Sequence, residues 1–290
     1  MKNQLQQLLD DGQSVWLDNL RRSMFASGEL KRMIDRGLRG MTSNPTIFEK
    51  AIGAGSDYDE QLKQLIGSEK SAEALFWDLA VADIQQACDE FARVFKESGG
   101  NDGFVSLEVS PLLARDTQGT IAMAKELWKR VSRPNLMVKI PGTKEGLPAI
   151  EECIYEGVNI NVTLIFSVEM YERAARAYVK GLQRRLAEQK PIDKLRSVNS
   201  VFVSRIDSAV DKMLHARIAK GEKLDHLLGK TGIANLKLTY QKFKEIFLGD
   251  DFAALKAAGG AVQRPLWAST STKDPHYPDL MYVETVVGPD

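Results

Sequence analysis

Residue types that carry common enzyme chemistries are scarce in this sequence of 290 residues. There are two cysteines, Cys88 and Cys153, and both lie in stretches with helical periodicity. We therefore expect two reduced thiols in the core of a cytoplasmic protein. There are three histidines, and none forms an HExxH pattern or a Cys/His cluster of the kind that binds zinc. The sequence therefore predicts no metal site.

Net charge and long apolar runs are also lacking. Lys+Arg and Asp+Glu are equal at 39 each, which disfavours nucleic acid or a membrane surface as a partner. No run approaches the roughly 18 apolar residues of a membrane span. The first residues, MKNQLQQLLDDGQS, have no apolar core of the signal-peptide type. We expect a cytoplasmic protein.

Signals for nucleotide binding and serine hydrolysis are missing as well. The turn after Leu20 reads RRSMFASGEL, without the glycines of a dinucleotide fold. GKT at 229–231 resembles part of a phosphate loop, but Leu224 stands where that loop needs glycine. Gly-x-Ser-x-Gly is absent. These observations disfavour an open dinucleotide-binding sheet and an α/β-hydrolase.

What the sequence does contain is an alternation of short apolar segments with longer helical ones. Helical periodicity covers 75–96, 117–131 and 168–187. Regular alternation of strands and helices indicates a parallel sheet with crossover helices. The number of βα units favours a (β/α)8 TIM barrel over a doubly wound sheet. The predicted strands are 15–20, 37–44, 103–110, 136–141, 157–166, 196–205 and 264–270.

This count is seven, whereas a closed barrel has eight strands. We expect one barrel domain over 1–290, with helical insertions at about 50–100 and 207–258. We also expect the eighth strand and a C-terminal helix to be missing from this chain, which leaves open a missing or fused C-terminal segment. The resulting hypothesis is that the isolated chain is poorly active or depends on a partner segment.

Polar residues gather near the ends of the predicted strands, where parallel barrels place their active sites. Single members such as Asn159 and Ser110 are better explained as structural hydrogen-bonding residues, but a polar group at every segment predicts a site. The set comprises Asp18, Asn19, Thr42, Ser43, Asn44, Glu108, Ser110, Lys139, Asn159, Asn161, Thr163, Ser200, Ser204, Arg205, Ser269 and Thr270.

Lys139 is the central candidate, since it is the one charged residue of the apolar strand LMVKIP. Burial disfavours the charged form of an amine, and a free amine attacks carbonyls to form a Schiff base. Asp18 and Glu108 are the carboxylates placed to move protons. The alternative is a structural ion pair with one of these acids, which adds little net stability. Lys144, in a loop, is the second candidate amine and should be solvated.

At these residues the sequence resembles the transaldolase family, from Val15 to the end of the chain. The resemblance is to the longer branch, including members fused to a phosphoglucose isomerase. It implies a (β/α)8 barrel with the Schiff-base lysine on the fourth strand, which is LMVKIP in our count. The matching motifs are WLDNL, GMTSNPTIFEKAI, SLEVSP, LMVKIPGTKEGLPAI, GVNINVTLIFS, SVFVSRID and RPLWASTSTKDPHY.

The resemblance also implies a role for each candidate residue. Lys139 forms the imine, and Asp18 handles the proton of the donor's C4 hydroxyl. Glu108 acts on imine formation and hydrolysis with a water held by Thr163. The residues implied in substrate binding are Asn44, Asn161 and Ser200 for the dihydroxyacetone unit, and Arg205 and Ser269 for the phosphate. Other branches have arginine where this chain has Ser271, so Lys273 is expected to supply the second positive charge.

The implied reaction moves a dihydroxyacetone unit from sedoheptulose 7-phosphate to glyceraldehyde 3-phosphate, giving erythrose 4-phosphate and fructose 6-phosphate. It is a step of the pentose phosphate pathway and needs no cofactor or metal. Two alternatives stay open. The same residues suit a fructose 6-phosphate aldolase, and the missing strand suits an inactive barrel that binds sugar phosphates.

Overall fold

The structure of the protein is a computed structural model that describes residues 3–53, 55–65 and 70–287. Its contacts cluster into two compact units, and the boundary between Lys139 and Ile140 falls within one strand. The prediction of a single domain with two helical insertions stays a prediction.

The first unit alternates strands with helices and carries an additional group of helices between its second and third strands. A 3₁₀ turn follows the third strand at Pro111–Leu113. The elements are α1 (Gln4–Asp10), β1 (Trp16–Asp18), α2 (Arg22–Ala26), α3 (Glu29–Arg36), β2 (Gly40–Thr42), α4 (Pro45–Gly53), α5 (Asp59–Leu65), α6 (Ala72–Glu90), α7 (Ala92–Glu97), β3 (Phe104–Glu108), α8 (Thr117–Val131) and β4 (Leu136–Pro141).

The second unit continues the alternation. It has 3₁₀ turns at Asp225–Leu227 and Asp250–Phe252. The elements are α9 (Gly146–Tyr155), β5 (Ile160–Ile165), α10 (Val168–Ala187), β6 (Ser197–Phe202), α11 (Ser204–Ile218), α12 (Thr231–Phe247), α13 (Ala253–Ala257), β7 (Gln263–Ala268) and α14 (Met281–Val286).

All strand pairs within each unit are parallel. In the first unit β1 pairs with β2, β2 with β3 and β3 with β4, and in the second β5 pairs with β6 and β6 with β7. Parallel strands joined by helices confirm the α/β prediction. The described residues hold seven strands, in agreement with a (β/α)8 barrel that lacks its last strand.

Helix boundaries follow local capping. Asp116 accepts a hydrogen bond from the backbone of Gly119 and starts α8, and Ser167 does the same for Met170 at the start of α10. Both helices match their predicted ranges. The predicted helix over 75–96 is instead two helices, α6 and α7, that meet at Phe91.

The core consists of strand residues and the helix faces that cover them. β3 and β4 are buried along almost their whole length, as expected for parallel strands covered on both faces. Cys88 and Cys153 are both buried and form no disulfide among the described residues, and burial raises the pKa of the Cys88 thiol. These thiols are therefore structural. No described helix combines the length and the hydropathy needed to cross a lipid bilayer.

Candidate active site

The first unit holds a buried amine between two acceptors. Lys139 on β4 is the register partner of Glu108 on β3, and its Nζ lies 3.3 Å from Glu108 Oε2. The same Nζ donates to the backbone carbonyl of Ser43 at 3.0 Å. Only 8% of the Lys139 side chain and 13% of the Glu108 side chain is exposed. A proton can therefore pass between this amine and this carboxylate without leaving the protein interior.

Ser43 owes its position to β3. Its backbone N–H and its hydroxyl both donate to the carbonyl oxygen of Ser106, at 3.2 and 2.8 Å. These two bonds fix the residue just after β2, so that its own carbonyl oxygen is placed for Lys139. Sequence reasoning noted Ser43 as polar but did not assign it this contact. No side-chain pattern could reveal it, because a backbone oxygen makes the bond.

A second acid of the first unit is oriented by a hydroxyl. Asp18, the last residue of β1, is the register partner of Thr42 on β2. The buried Thr42 hydroxyl donates to Asp18 Oδ1 at 2.7 Å. Asp18 itself is exposed. Nearby in the chain, Asn44 Oδ1 accepts from the backbone of Ile47 at 3.0 Å and so lies at the start of α4.

In the second unit two predicted substrate-binding residues are in contact. The Ser200 hydroxyl on β6 donates to Asn161 Oδ1 on β5 at 2.7 Å, and both residues are buried. Since this bond fixes the oxygen of the Asn161 amide, the amide has a defined orientation.

Thr163, also buried, lies at an irregularity of β5. The register with β6 shifts between Val162 and Ile165, and Leu164 has a positive φ of 60°. The backbone of Gly142 donates to the Thr163 carbonyl at 2.7 Å. A Cβ at Gly142 would lie 2.2 Å from Cδ1 of Ile165, so the loop after β4 packs closely against this side chain. Irregular strand ends of this kind often aim side chains at a site.

The two residues expected to bind phosphate are linked through the start of α11. Arg205 lies in the first turn of this helix and not at a strand end as expected, and its guanidinium lies over the Phe202 ring at 5.0 Å. The neighbouring Ser204 shares a 2.8 Å hydroxyl–hydroxyl bond with Ser269, which follows β7. Lys273 is exposed, and its Nζ donates to the Ser271 hydroxyl at 2.6 Å.

Of three other candidate residues, Asn159 and Ser110 make structural hydrogen bonds, and Lys144 lies in an exposed loop. Asn159 Oδ1 accepts from the backbone of Arg196, and the Ser110 hydroxyl accepts from the backbone of Leu112. Lys144 is exposed between β4 and α9, as expected for the second candidate amine. Of the two lysines, Lys139 is the buried one and lies beside a carboxylate.

The predicted residues thus fall into small groups within each unit. The first unit brings Lys139 to Glu108, and Asp18 to Thr42. The second unit brings Asn161 to Ser200, and it places Ser269 in contact with Ser204, the residue before Arg205. A buried amine with a neighbouring carboxylate is suited to imine chemistry, and exposed cations beside hydroxyls are suited to phosphate.

Comparison with known proteins shows the family of this chain. Residues 15–290 match the model of the family described as Transaldolase/Fructose-6-phosphate aldolase. The chain is 48% identical over 295 residues to a protein named Transaldolase from Trichodesmium erythraeum (strain IMS101), covering 99% of this chain and 78% of that protein. It is 47% identical over 290 residues to a Transaldolase from Thermobifida fusca (strain YX), covering 100% of this chain and 78% of that protein.

Proposed function

The chain belongs to the transaldolase/fructose-6-phosphate aldolase family, and we propose that it transfers a dihydroxyacetone unit between sugar phosphates through a Schiff base on Lys139. It is an enzyme of the transferase class, since relatives over nearly its full length are named Transaldolase. The observation that supports the proposed chemistry best is the buried amine of Lys139 at 3.3 Å from a carboxylate.

The first step is formation of the imine. Glu108 takes the proton of the Lys139 ammonium, and the free amine attacks the C2 carbonyl of sedoheptulose 7-phosphate. The resulting carbinolamine loses water with proton transfer from the Glu108 acid, and a protonated imine remains. We assign Thr163 to hold the water molecule that takes part in this step and in the final hydrolysis.

The second step is cleavage of the bond between C3 and C4. Asp18 accepts the proton of the C4 hydroxyl, and the electron pair of the C3–C4 bond moves into the iminium to give an enamine. Erythrose 4-phosphate leaves as the aldehyde. The Thr42 hydroxyl donates to Asp18 Oδ1 and so orients the carboxylate that is to accept this proton.

The third step reverses the second with another aldehyde. Carbon C3 of the enamine attacks the aldehyde carbon of glyceraldehyde 3-phosphate, and Asp18 returns its proton to the new C4 oxygen. Hydrolysis of the imine releases fructose 6-phosphate and frees Lys139. We assign Asn44, Asn161 and Ser200 to the hydroxyl groups of the dihydroxyacetone unit.

The phosphate groups are assigned to Arg205, Ser269 and Lys273. A guanidinium binds phosphate through a planar fork, whereas an ammonium acts as a point charge, so Arg205 orients the group and Lys273 adds attraction. These steps use side-chain groups and water alone. A place in the pentose phosphate pathway and a cytoplasmic location belong to the same proposal.

Borohydride trapping tests the proposal. The protein is incubated with fructose 6-phosphate, reduced with borohydride, digested and mapped by mass spectrometry. We expect one adduct of dihydroxyacetone size on Lys139, and none in a Lys139→Met variant. An adduct on Lys144, or none on the wild-type protein, would overturn the assignment.

The aldolase alternative is tested with the same substrate. A transferase releases glyceraldehyde 3-phosphate from fructose 6-phosphate in catalytic amounts only when an acceptor such as erythrose 4-phosphate is present. A simple aldolase releases it without an acceptor. The names of the relatives favour the transferase.

A further inference from the structure

One face of α11 carries two buried carboxylates that the proposed chemistry does not use. Asp207 and Asp211 are one turn apart on this helix, and their exposed fractions are 1% and 6%. Neither forms an ion pair with any residue that the structure describes. Burial raises the pKa of the Asp207 carboxyl. Burying a carboxyl group costs free energy of folding unless hydrogen bonds compensate, so the contacts of these two groups need an explanation.

Each carboxylate binds one backbone amide and one tyrosine hydroxyl. Asp207 accepts from the Gly232 amide at 2.6 Å and from the Tyr282 hydroxyl at 2.8 Å. Asp211 accepts from the Gly229 amide at 3.1 and 3.2 Å and from the Tyr277 hydroxyl at 2.7 Å. The two acids therefore join α11 to the turn at 229–232 and to the chain that follows β7.

The glycines of this turn fit the same arrangement. Gly229 has a positive φ of 66°, and a Cβ on it would lie 2.9 Å from Cζ of Tyr277. The turn is therefore packed closely against the tyrosine ring, and a larger residue would displace it. This is the structural role of the GKT sequence that resembled a phosphate loop.

The chain held in this way is the loop that carries the proposed phosphate ligands. The loop 269–277 is tied to α11 at its start, where the Ser269 and Ser204 hydroxyls are 2.8 Å apart and the Ser204 amide donates to the Ser269 carbonyl at 3.3 Å. It is tied to α11 again at its end by Tyr277 and Asp211. Ser269 has a positive φ of 58°, a costly conformation that persists only where the surroundings hold it.

We propose that Asp207 and Asp211 form a carboxylate clamp that positions the loop 269–277 against the start of α11 for binding of the substrate phosphate. The clamp sets the distance from Arg205, on the same helix, to Ser269 and Lys273, on the loop. Asp211 is the principal positioning residue because its partner, Tyr277, is the last residue of the loop. Tyr282, the partner of Asp207, lies five residues after the loop ends. This inference rests on the proposed function only for the identity of the phosphate-bearing substrate.

The test is a Tyr277→Phe variant, which removes the hydroxyl and leaves the ring on Gly229. The matched control is Tyr171→Phe, since the buried Tyr171 hydroxyl has no hydrogen-bond partner among the described residues. Donor kinetics are measured with erythrose as acceptor, so that both fructose 6-phosphate and fructose yield sedoheptulose. We expect the KM for fructose 6-phosphate to rise about tenfold in Tyr277→Phe, with kcat within about twofold. The KM for fructose should not change, and Tyr171→Phe should match the wild type.

A purely structural role predicts a different result, with the same loss for both donors in Tyr277→Phe. That outcome would overturn the inference, as would unchanged kinetics for both. A second measurement does not depend on catalysis. Inorganic phosphate should raise the melting temperature of the wild type and of Tyr171→Phe, and Tyr277→Phe should need about tenfold more phosphate for the same shift. Equal phosphate dependence in all three proteins, or none in any, would contradict the clamp even if the transfer reaction itself were confirmed.

Discussion

Lys139 Nζ lies 3.3 Å from Oε2 of Glu108, and the two residues are register partners on adjacent parallel strands. Parallel pairing keeps their backbones side by side, so the contact does not depend on a flexible loop. A second acceptor, the Ser43 carbonyl, fixes the direction of the amine. The amine and the carboxylate that we propose as its proton acceptor are therefore organised before a substrate binds, as efficient proton transfer requires.

Replacement of Glu108 by glutamine should slow imine formation. The variant keeps the size of the side chain and loses the base that accepts the lysine proton. We expect kcat to fall about 100- to 1,000-fold, and borohydride inactivation in the presence of fructose 6-phosphate to slow by a similar factor. Glu97→Gln, at an exposed acid beside Arg93, is the control and should behave as the wild type. If Glu108→Gln were trapped by borohydride at the wild-type rate, Glu108 would have no role in imine formation.

The Thr42 hydroxyl, which donates to Asp18, should affect bond cleavage rather than imine formation. Thr42→Val has nearly the same shape as threonine but cannot donate to the carboxylate. Because we propose that Asp18 acts on the C4 proton, we expect turnover to fall about tenfold while borohydride trapping of the imine keeps its rate. Thr42→Ser restores the hydroxyl and should restore turnover. If trapping and turnover fell together in Thr42→Val, Thr42 would act on imine formation or on the fold instead.

The second positive charge for phosphate should come from Lys273. We expect Lys273→Met to raise the KM for phosphorylated substrates about five- to tenfold with little change in kcat. Lys212→Met is the matched control, since Lys212 lines the same surface cavity as Lys273. Adding Ser271→Arg to Lys273→Met returns a cation two residues earlier in the loop and should lower the KM again. An equal effect of Lys212→Met would show that only the overall charge of the surface matters.

The accuracy of the sequence-based predictions depended on whether their signals were local. The ranges of α8 and α10 were predicted correctly because each begins at a capping residue adjacent in the chain, Asp116 or Ser167. The second strand was predicted as 37–44 but is only Gly40–Thr42, because Gly37 ends α3 and Asn44 already starts α4.

Contacts between distant parts of the chain could not be predicted in the same way. The bond of Lys139 to the Ser43 carbonyl spans 96 residues, and that of Tyr282 to Asp207 spans 75. Arg205 was assigned to a strand end, whereas β6 stops at Phe202 and α11 starts at Ser204, where the Ser204 amide donates to the Ser269 carbonyl. Such boundaries are set by the packed fold and carry no signature in the local sequence.

The pH dependence of stability should differ in sign between two aspartates. Burial raises the pKa of Asp207 in the folded protein, so the folded state keeps this proton to a higher pH than the unfolded chain. The stability from this group is fully present below the unfolded pKa of about 3.9 and is lost as the pH rises through the folded value. The free energy of unfolding of the wild type minus that of Asp207→Asn should therefore decrease from about pH 4 to pH 7, by about 1.4 kcal/mol for each unit of raised pKa.

Asp35 supplies the opposite case. Its hydrogen bond from Lys31 lowers the pKa of its carboxyl, so its stabilisation is present above the unfolded pKa and is lost as the pH falls through the folded value. The difference between the wild type and Asp35→Asn should grow as the pH rises to about 4 and stay nearly level above it. The change will be small because Asp35 is exposed. Urea unfolding of the three proteins from about pH 2 to pH 7 measures both slopes. Slopes of the same sign would show that the hydrogen bonds from Gly232 and Tyr282 stabilise the Asp207 carboxylate more than burial destabilises it.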